Sequence, residues 1–135
     1  MILAMSGAAW AANLRLIAVC WGQNSGAMQQ DEYRKLAEAE DKMWYSHALN
    51  RRLLYFLDRQ IPRGSARVLD AGCGTGGLIK TFIAARPEWL LTGLDFMPQA
   101  CEFAKARTGA EIFQGSITEL PFGDGELAAV VSADV

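Results

Sequence analysis

The sequence predicts an α/β protein: a doubly wound parallel sheet, of which this chain carries the first four strands, preceded by N-terminal helices. Three observations predict it. Residues 31–60 keep the three-and-four apolar spacing of helices. After them, short apolar runs alternate with helical stretches, the rhythm of parallel strands joined by crossover helices. The first of those runs breaks into the glycine-rich stretch Gly72-Cys73-Gly74-Thr75-Gly76-Gly77, as a strand-to-helix turn in such folds does.

Taken in order, residues 1–27 form an apolar extension. Ile2 to Gly22 holds Arg15 as its only charge and contains Trp10 and Trp21. It lacks the basic start of a secretory signal, and Ser6, Asn13 and Arg15 interrupt the roughly 20 apolar residues that a membrane span needs. A poorly ordered extension is expected, with a membrane anchor as the weaker reading and Met28 as an alternative start. Residues 28–62 form a helical segment. Tyr33, Leu36, Ala37, Met43, Trp44, Ala48, Leu54, Tyr55 and Leu57 mark its apolar face, and Asp31 and Glu32 suit a helix N-terminus. Asn50 marks the expected break between two helices, and Ile61-Pro62-Arg63-Gly64-Ser65 ends the segment.

The sheet follows, over residues 63–135. Val68-Leu69 starts the first strand; Leu78 to Arg86 returns to helical spacing through Leu78, Phe82 and Ile83, and Pro87 stops it. Leu90 to Leu94 is a second strand ending at Asp95. Pro98 opens a helix with Ala100, Phe103 and Ala104 toward the core. Ala110 to Phe113 is a third strand, and Leu127 to Ser132 a fourth, continuously apolar and expected to be buried on both faces. A parallel sheet that stops there leaves an apolar edge open to self-association, so the chain reads as part of a longer protein.

Composition bounds the function. The net charge of −2, without a lysine–arginine cluster, argues against a nucleic-acid partner. The cysteines, Cys20, Cys73 and Cys101, form no C-x-x-C pair, so neither a zinc site nor a disulfide framework is indicated and no metal is expected. A reducing cytoplasmic setting is the simplest reading. His47, the sole histidine, reads as an exposed hydrogen-bond partner, and Cys73 as a small residue that the turn requires rather than a nucleophile.

The glycine stretch alone matches a dinucleotide-binding turn, whose free amides at a helix N-terminus hold a pyrophosphate. Asp70, two residues earlier, opposes that. A unit-charge pair about 5 Å apart interacts by roughly 3 kcal/mol at an effective dielectric of 20. A carboxylate at the strand tip repels a phosphate by about that much and attracts an ammonium group equally. Asp95, 25 residues on, stands near the spacing of about 20 at which an acid meets a ribose. A ligand with a cationic amino-acid end and an adenosine end, such as S-adenosyl-L-methionine, satisfies both.

Four stretches then carry a resemblance. V-L-D-A-G-C-G-T-G resembles the first motif of class I S-adenosylmethionine-dependent methyltransferases, of the small-molecule type, and G-L-D-F-M-P-Q-A resembles their second. Gly115-Ser116-Ile117 with L-P-F at Leu120 to Phe122 is similar to the loop bordering the adenine, and V-V-S-A-D-V at the end to the fourth strand of their Rossmann-like sheet. The resemblance implies that Asp70, Gly72, Gly74 and Gly76 hold the methionine end, and that Asp95 takes the ribose hydroxyls. It also implies that Phe96 and Met97 lie against the adenine, Ser116 and Ile117 border its edge, and Ser132 lines the floor near the sulfonium. Trp44-Tyr45 resembles, more loosely, a helix that covers the cofactor.

Departures accompany it. Leu127-Ala128 stands where the family has an aromatic residue and an aspartate, and Ser132-Ala133-Asp134 is not the N/D-P-P-Y motif of enzymes acting on nucleic-acid or protein amides. The implied activity is methyl transfer to a small-molecule acceptor, with no catalytic residue assigned. A nicotinamide-dependent oxidoreductase or a catalytically silent, truncated cofactor-binding fragment are the alternatives.

Overall fold

A computed structural model describes residues 2–4 and 30–133. In chain order these form β1 (Ile2–Ala4), α1 (Gln30–Glu40), α2 (Trp44–Gln60), β2 (Arg67–Ala71), α3 (Gly77–Ala85), β3 (Leu90–Asp95), α4 (Pro98–Thr108), β4 (Glu111–Gln114) and β5 (Ala129–Val131). The expectation for residues 1–27 falls mostly outside the described residues.

The sheet order is β1-β5-β2-β3-β4. Strands β5, β2, β3 and β4 run parallel, with Asp70 paired to Gly93 on one side and to Val131 on the other, and Asp95 paired to Gln114. The register therefore brings the C-terminal tips of β2, β3 and β5 to one edge, where open α/β sheets bind their ligands. The predicted parallel α/β architecture is the observed one.

Two buried clusters hold the sheet. The larger joins Leu53, Leu57 and Ile61 to Val68, Ile79, Phe82, Trp89, Leu91, Ala104, Ala129 and Val131. Phe82 and Trp89 meet edge to face at 6.2 Å between centroids, a geometry that adds to their area burial. The smaller, on the opposite face, collects Leu69, Ala71 and Leu94, with Phe113, Ile117, Leu120, Phe122, Leu127 and Val130 packed against them. In β5, Ala129 and Val131 are buried and Val130 half-buried, close to the expectation of a strand covered on both faces.

Three expectations need correction. The two helices do not part at Asn50, which lies inside α2 and donates to Thr81 Oγ1 of α3. They part at Asp41–Met43, where Met43 takes an extended conformation (φ −75°, ψ 121°) and Asp41 is drawn to cations on α3 and α4. Because that elbow resets the helical phase, the apolar face read as one stripe splits in two. Tyr33 and Ala37 bury from α1, and Leu53 and Leu57 from α2, while Leu36, Met43, Trp44, Ala48 and Tyr55 stand exposed. The outer edge of β5, read as open, carries β1 in antiparallel pairing, Ile2 opposite Val131 and Ala4 opposite Ala129. Three residues near the N-terminus gave no periodic signal from which to predict that strand.

Candidate functional site

The glycine turn is built by conformations that side chains resist. Gly72, Gly74 and Gly76 all take positive φ (87°, 49° and 76°), the left-handed region in which a Cβ costs about 1–2 kcal/mol. Gly76 is also crowded: a Cβ there would come within 2.9 Å of Thr108 Cγ2 and 3.2 Å of Ala104 Cβ, so the turn lies directly on α4. At Gly74 a Cβ would meet no atom of the described residues within 4 Å. The turn is packed on one side and open on the other.

Four of its amides are spent internally. Gly72 and Cys73 donate to the Leu94 carbonyl at 2.7 and 3.0 Å, and Gly76 donates to the Cys73 carbonyl at 2.8 Å. Gly74 donates to Asp95 Oδ2 at 2.8 Å, and Met97 to Asp95 Oδ1 at 2.9 Å. At the N-terminus of α3, the Glu40 carboxylate already stands 3.0 Å from where a Gly77 Cβ would be. A pyrophosphate at this end would find four of the turn's amides already donating and a carboxylate close to its place, which disfavours it.

Asp70 occupies the tip of β2, 4% exposed, with no hydrogen bond among the described residues. Burial, then the Asp95 and Glu40 carboxylates, push its pKa up to about 7. A buried, unpaired acid flanked by two others is costly and accommodates a cation. Burial likewise pushes the Cys73 thiol far above its ordinary range, with Asp70 adding to the effect. A thiol kept protonated is a poor nucleophile, in keeping with Cys73 as a packing residue. His47 is exposed, and its Nε2–H donates to the Asp41 carbonyl at 2.9 Å.

The remaining candidates lie around the same edge. Phe96, 72% exposed, and half-buried Met97 lead from Asp95 into α4. Gly115 donates to the Asp95 carbonyl at 2.9 Å, placing the following loop beside the tip of β3. There Ser116 Oγ and Thr118 Oγ1 share a hydrogen bond of 2.7 Å, while Ile117 packs on the Leu69–Ala71–Leu94 cluster. Ser132 directly follows β5, next to the residue paired with Asp70. Trp44 and Tyr45 sit edge to face on the first turn of α2, both exposed.

Several residues that sequence reasoning missed belong to the surroundings of this turn. Thr75, buried, donates its hydroxyl to Glu40 Oε2. Arg107 of α4 donates to the Thr75 carbonyl at 3.1 Å, to Thr75 Oγ1 at 2.8 Å and to Asp41 Oδ1 at 2.7 Å, and pairs with Glu40 at 3.6 Å. Lys80 of α3 holds the other Asp41 oxygen at 2.8 Å. The Lys80 hydrogen bond first, against opposing burial and with help from Arg107, keeps Asp41 below the usual carboxylate range. Tyr33 of α1 stacks on Phe103 of α4 at 6.1 Å. Its hydroxyl pKa is raised by burial and then by Asp95, so α1 also reaches the site. The partners lie at least 32 positions apart in sequence, beyond any local pattern.

The comparisons bear on a site already defined. A family described as "methyltransferase domain" matches residues 68–135, which hold the turn, Asp95 and the C-terminal tips of the four parallel strands. The chain belongs to the methyltransferase domain family. A demethylmenaquinone methyltransferase of Deinococcus radiodurans is 29% identical over 125 residues, covering 82% of this chain and 49% of the relative. The chain thus spans about half the length of this curated relative. Among solved structures, an amino pentose methyltransferase of Micromonospora echinaspora, with S-adenosylmethionine bound, is 25% identical. Its TM-score is 0.53, over 76% of this chain and 41% of that one. A Methanococcus maripaludis protein shares the fold, with TM-score 0.62 and 17% identity over 85% of this chain and 54% of that one. The fold is the one that the resemblance to class I methyltransferases implies.

Proposed function

We propose that this methyltransferase domain supplies the cofactor-binding half of an enzyme that methylates a small molecule. The observation that carries the reading is Asp70: a buried carboxylate without a hydrogen bond among the described residues, beside a turn four of whose amides are already engaged. The ammonium end of S-adenosyl-L-methionine supplies the cation this arrangement lacks. In our assignment Asp70, Gly72, Gly74 and Gly76 face the methionine end, and Asp95 accepts the ribose hydroxyls through lone pairs its two amide bonds leave free. Phe96 and Met97 lie against the adenine, Ser116 and Ile117 border its edge, and Ser132 lies near the sulfonium.

The cofactor carries an already activated methyl group, so the domain's part is to bind and align. When bound, the cofactor would supply its sulfonium methyl group to an acceptor nucleophile, the carbon–sulfur electron pair staying with S-adenosylhomocysteine, while the residues named above would hold its methionine, ribose and adenine parts in place. The relatives named above act on demethylmenaquinone and on an amino pentose, so the acceptor differs within the family, and we commit here to a small molecule only. We place the protein in a reducing cytoplasm, a reading supported by the free thiols of Cys73 and Cys101.

Calorimetric titration with S-adenosylhomocysteine tests the reading. Micromolar binding that falls tenfold or more in Asp70→Ala, about 1.4 kcal/mol, is expected from a folded chain. A folded chain that binds NAD and ignores S-adenosylhomocysteine would overturn it.

A further inference from the structure

Helix α2 packs on the sheet through Leu53 and Leu57 and is tied to α3 by Asn50–Thr81 and Asp58–Arg86. Its opposite side is unusual for a protein of net charge −2. At 100° per residue, Trp44, Tyr45, Ala48, Arg51, Arg52, Tyr55, Phe56 and Arg59 all fall on one outward face, and all are exposed. That face holds four aromatic side chains and three guanidinium groups. The only acid of α2, Asp58, borders it beside Arg51 and is paired with Arg86 at 2.7 Å. Trp44 is 79% exposed and Tyr55 57%, large apolar surfaces whose burial by a partner would be favourable.

The charges and rings are interleaved rather than segregated. Arg52 Cζ lies 5.9 Å from the Phe56 ring centroid and Arg59 Cζ 5.6 Å from that of Tyr55. Cations and rings thus stand side by side along a stripe about 23 Å long at 1.5 Å per residue. That mixture matches the boundary of a bilayer, where indole and phenol rings sit at the level of the headgroups and arginines meet lipid phosphates. We infer that this face of α2 docks on an anionic lipid surface, the helix lying flat with Trp44, Tyr45, Tyr55 and Phe56 among the headgroups.

No helix among the described residues is long and apolar enough to cross a membrane; lying on a surface requires only one face. A nucleic acid fits less well, because a phosphate backbone is tracked by a groove with cations from several elements. Here the cations stand on one convex helix.

The test is sedimentation of the full chain with vesicles of phosphatidylcholine alone and of phosphatidylcholine with phosphatidylglycerol. Binding to the anionic vesicles only, weakening as salt is raised, is expected. Each arginine removed should lower partitioning about fivefold, so Arg52→Gln with Arg59→Gln costs roughly 25-fold. Tyr55→Ser with Phe56→Ser should weaken binding at every salt concentration. Circular dichroism and S-adenosylhomocysteine titration, unchanged in both variants, show that fold and cofactor site are intact and separate this proposal from the methyltransferase reading.

Equal binding to both vesicles, binding to neither, or binding that survives the arginine substitutions would overturn it. So would preferential binding of an RNA oligonucleotide, or a dimer that dissociates in the variants, either of which assigns the face to another partner.

Discussion

Asp95 Oδ2 accepts the amide of Gly74 at 2.8 Å, so the tip of β3 holds the glycine turn after β2 in place before any ligand arrives. The other oxygen accepts the amide of Met97 at the start of α4. Each oxygen keeps a second lone pair, so supporting the turn and binding a ribose are compatible tasks.

Asp95→Ala removes both acceptors and leaves two amides unpaired. A loss of about 2–3 kcal/mol in unfolding free energy is expected, with S-adenosylhomocysteine binding abolished. Asp95→Asn keeps one carbonyl acceptor and should lose about half as much. Urea unfolding with calorimetry separates the two effects. An alanine variant as stable as the parent would contradict the supporting role.

Asp70 makes stability depend on pH. The unfolded chain ionises it near 3.8, the folded chain near about 7, chiefly because it is buried. Between those values the folded chain holds a proton that the unfolded chain has released, so stability falls as pH rises from about 4 to about 7 and levels off above. Asp70→Asn should flatten that slope. A bound ammonium favours the ionised carboxylate, so S-adenosylhomocysteine affinity should rise over the same window, releasing a proton, and stay flat in the variant. Thermal unfolding and titration across pH 4–8 check both, and an unchanged slope in Asp70→Asn would remove Asp70 as the cause.

How much of this was legible follows from the range of the interactions. The turn from β2 into α3 and the placement of Asp95 are local: a short apolar run, left-handed glycines and a strand-tip acid lie within a few residues of one another, and all were readable. The elbow at Asp41–Met43 was not. Nothing in A-E-D-K-M-W breaks a helix. It ends there because Lys80 and Arg107, from two other helices, both bind Asp41. The same holds for Glu40, which reads as one more surface acid until the fold sets it on the hydroxyl of Thr75.

Arg107 is expected to be the most consequential residue outside the proposed cofactor contacts. Its side chain is 12% exposed and serves Thr75, Asp41 and Glu40 together. Arg107→Met takes the buried cation from Glu40 and Asp41 and the donor from the Thr75 carbonyl, and should cost about 2–3 kcal/mol. Combining it with Glu40→Gln should cost less than the sum of the two, since both act on Thr75. A double-mutant cycle by urea unfolding measures this, and strict additivity would show that the two do not act as a unit.

Neighbouring residues of β3 should respond in opposite directions. Gly93 faces a filled space, where a Cβ would stand 2.6 Å from Ile112 Cδ1, 2.8 Å from Ile79 Cδ1 and 2.9 Å from Cys73 Sγ. Gly93→Ala must therefore displace two core side chains and the turn, at a cost of about 1–3 kcal/mol. Thr92, fully buried on the other face, has a hydroxyl with no hydrogen-bond partner among the described residues. Thr92→Val keeps the shape and discards that group, and should raise stability by up to about 1 kcal/mol, the low end of the cost of burying an unpaired hydroxyl. Thermal unfolding of the two variants decides it. Destabilisation by valine would mean that the hydroxyl has a partner, such as a buried water, whose loss outweighs the gain.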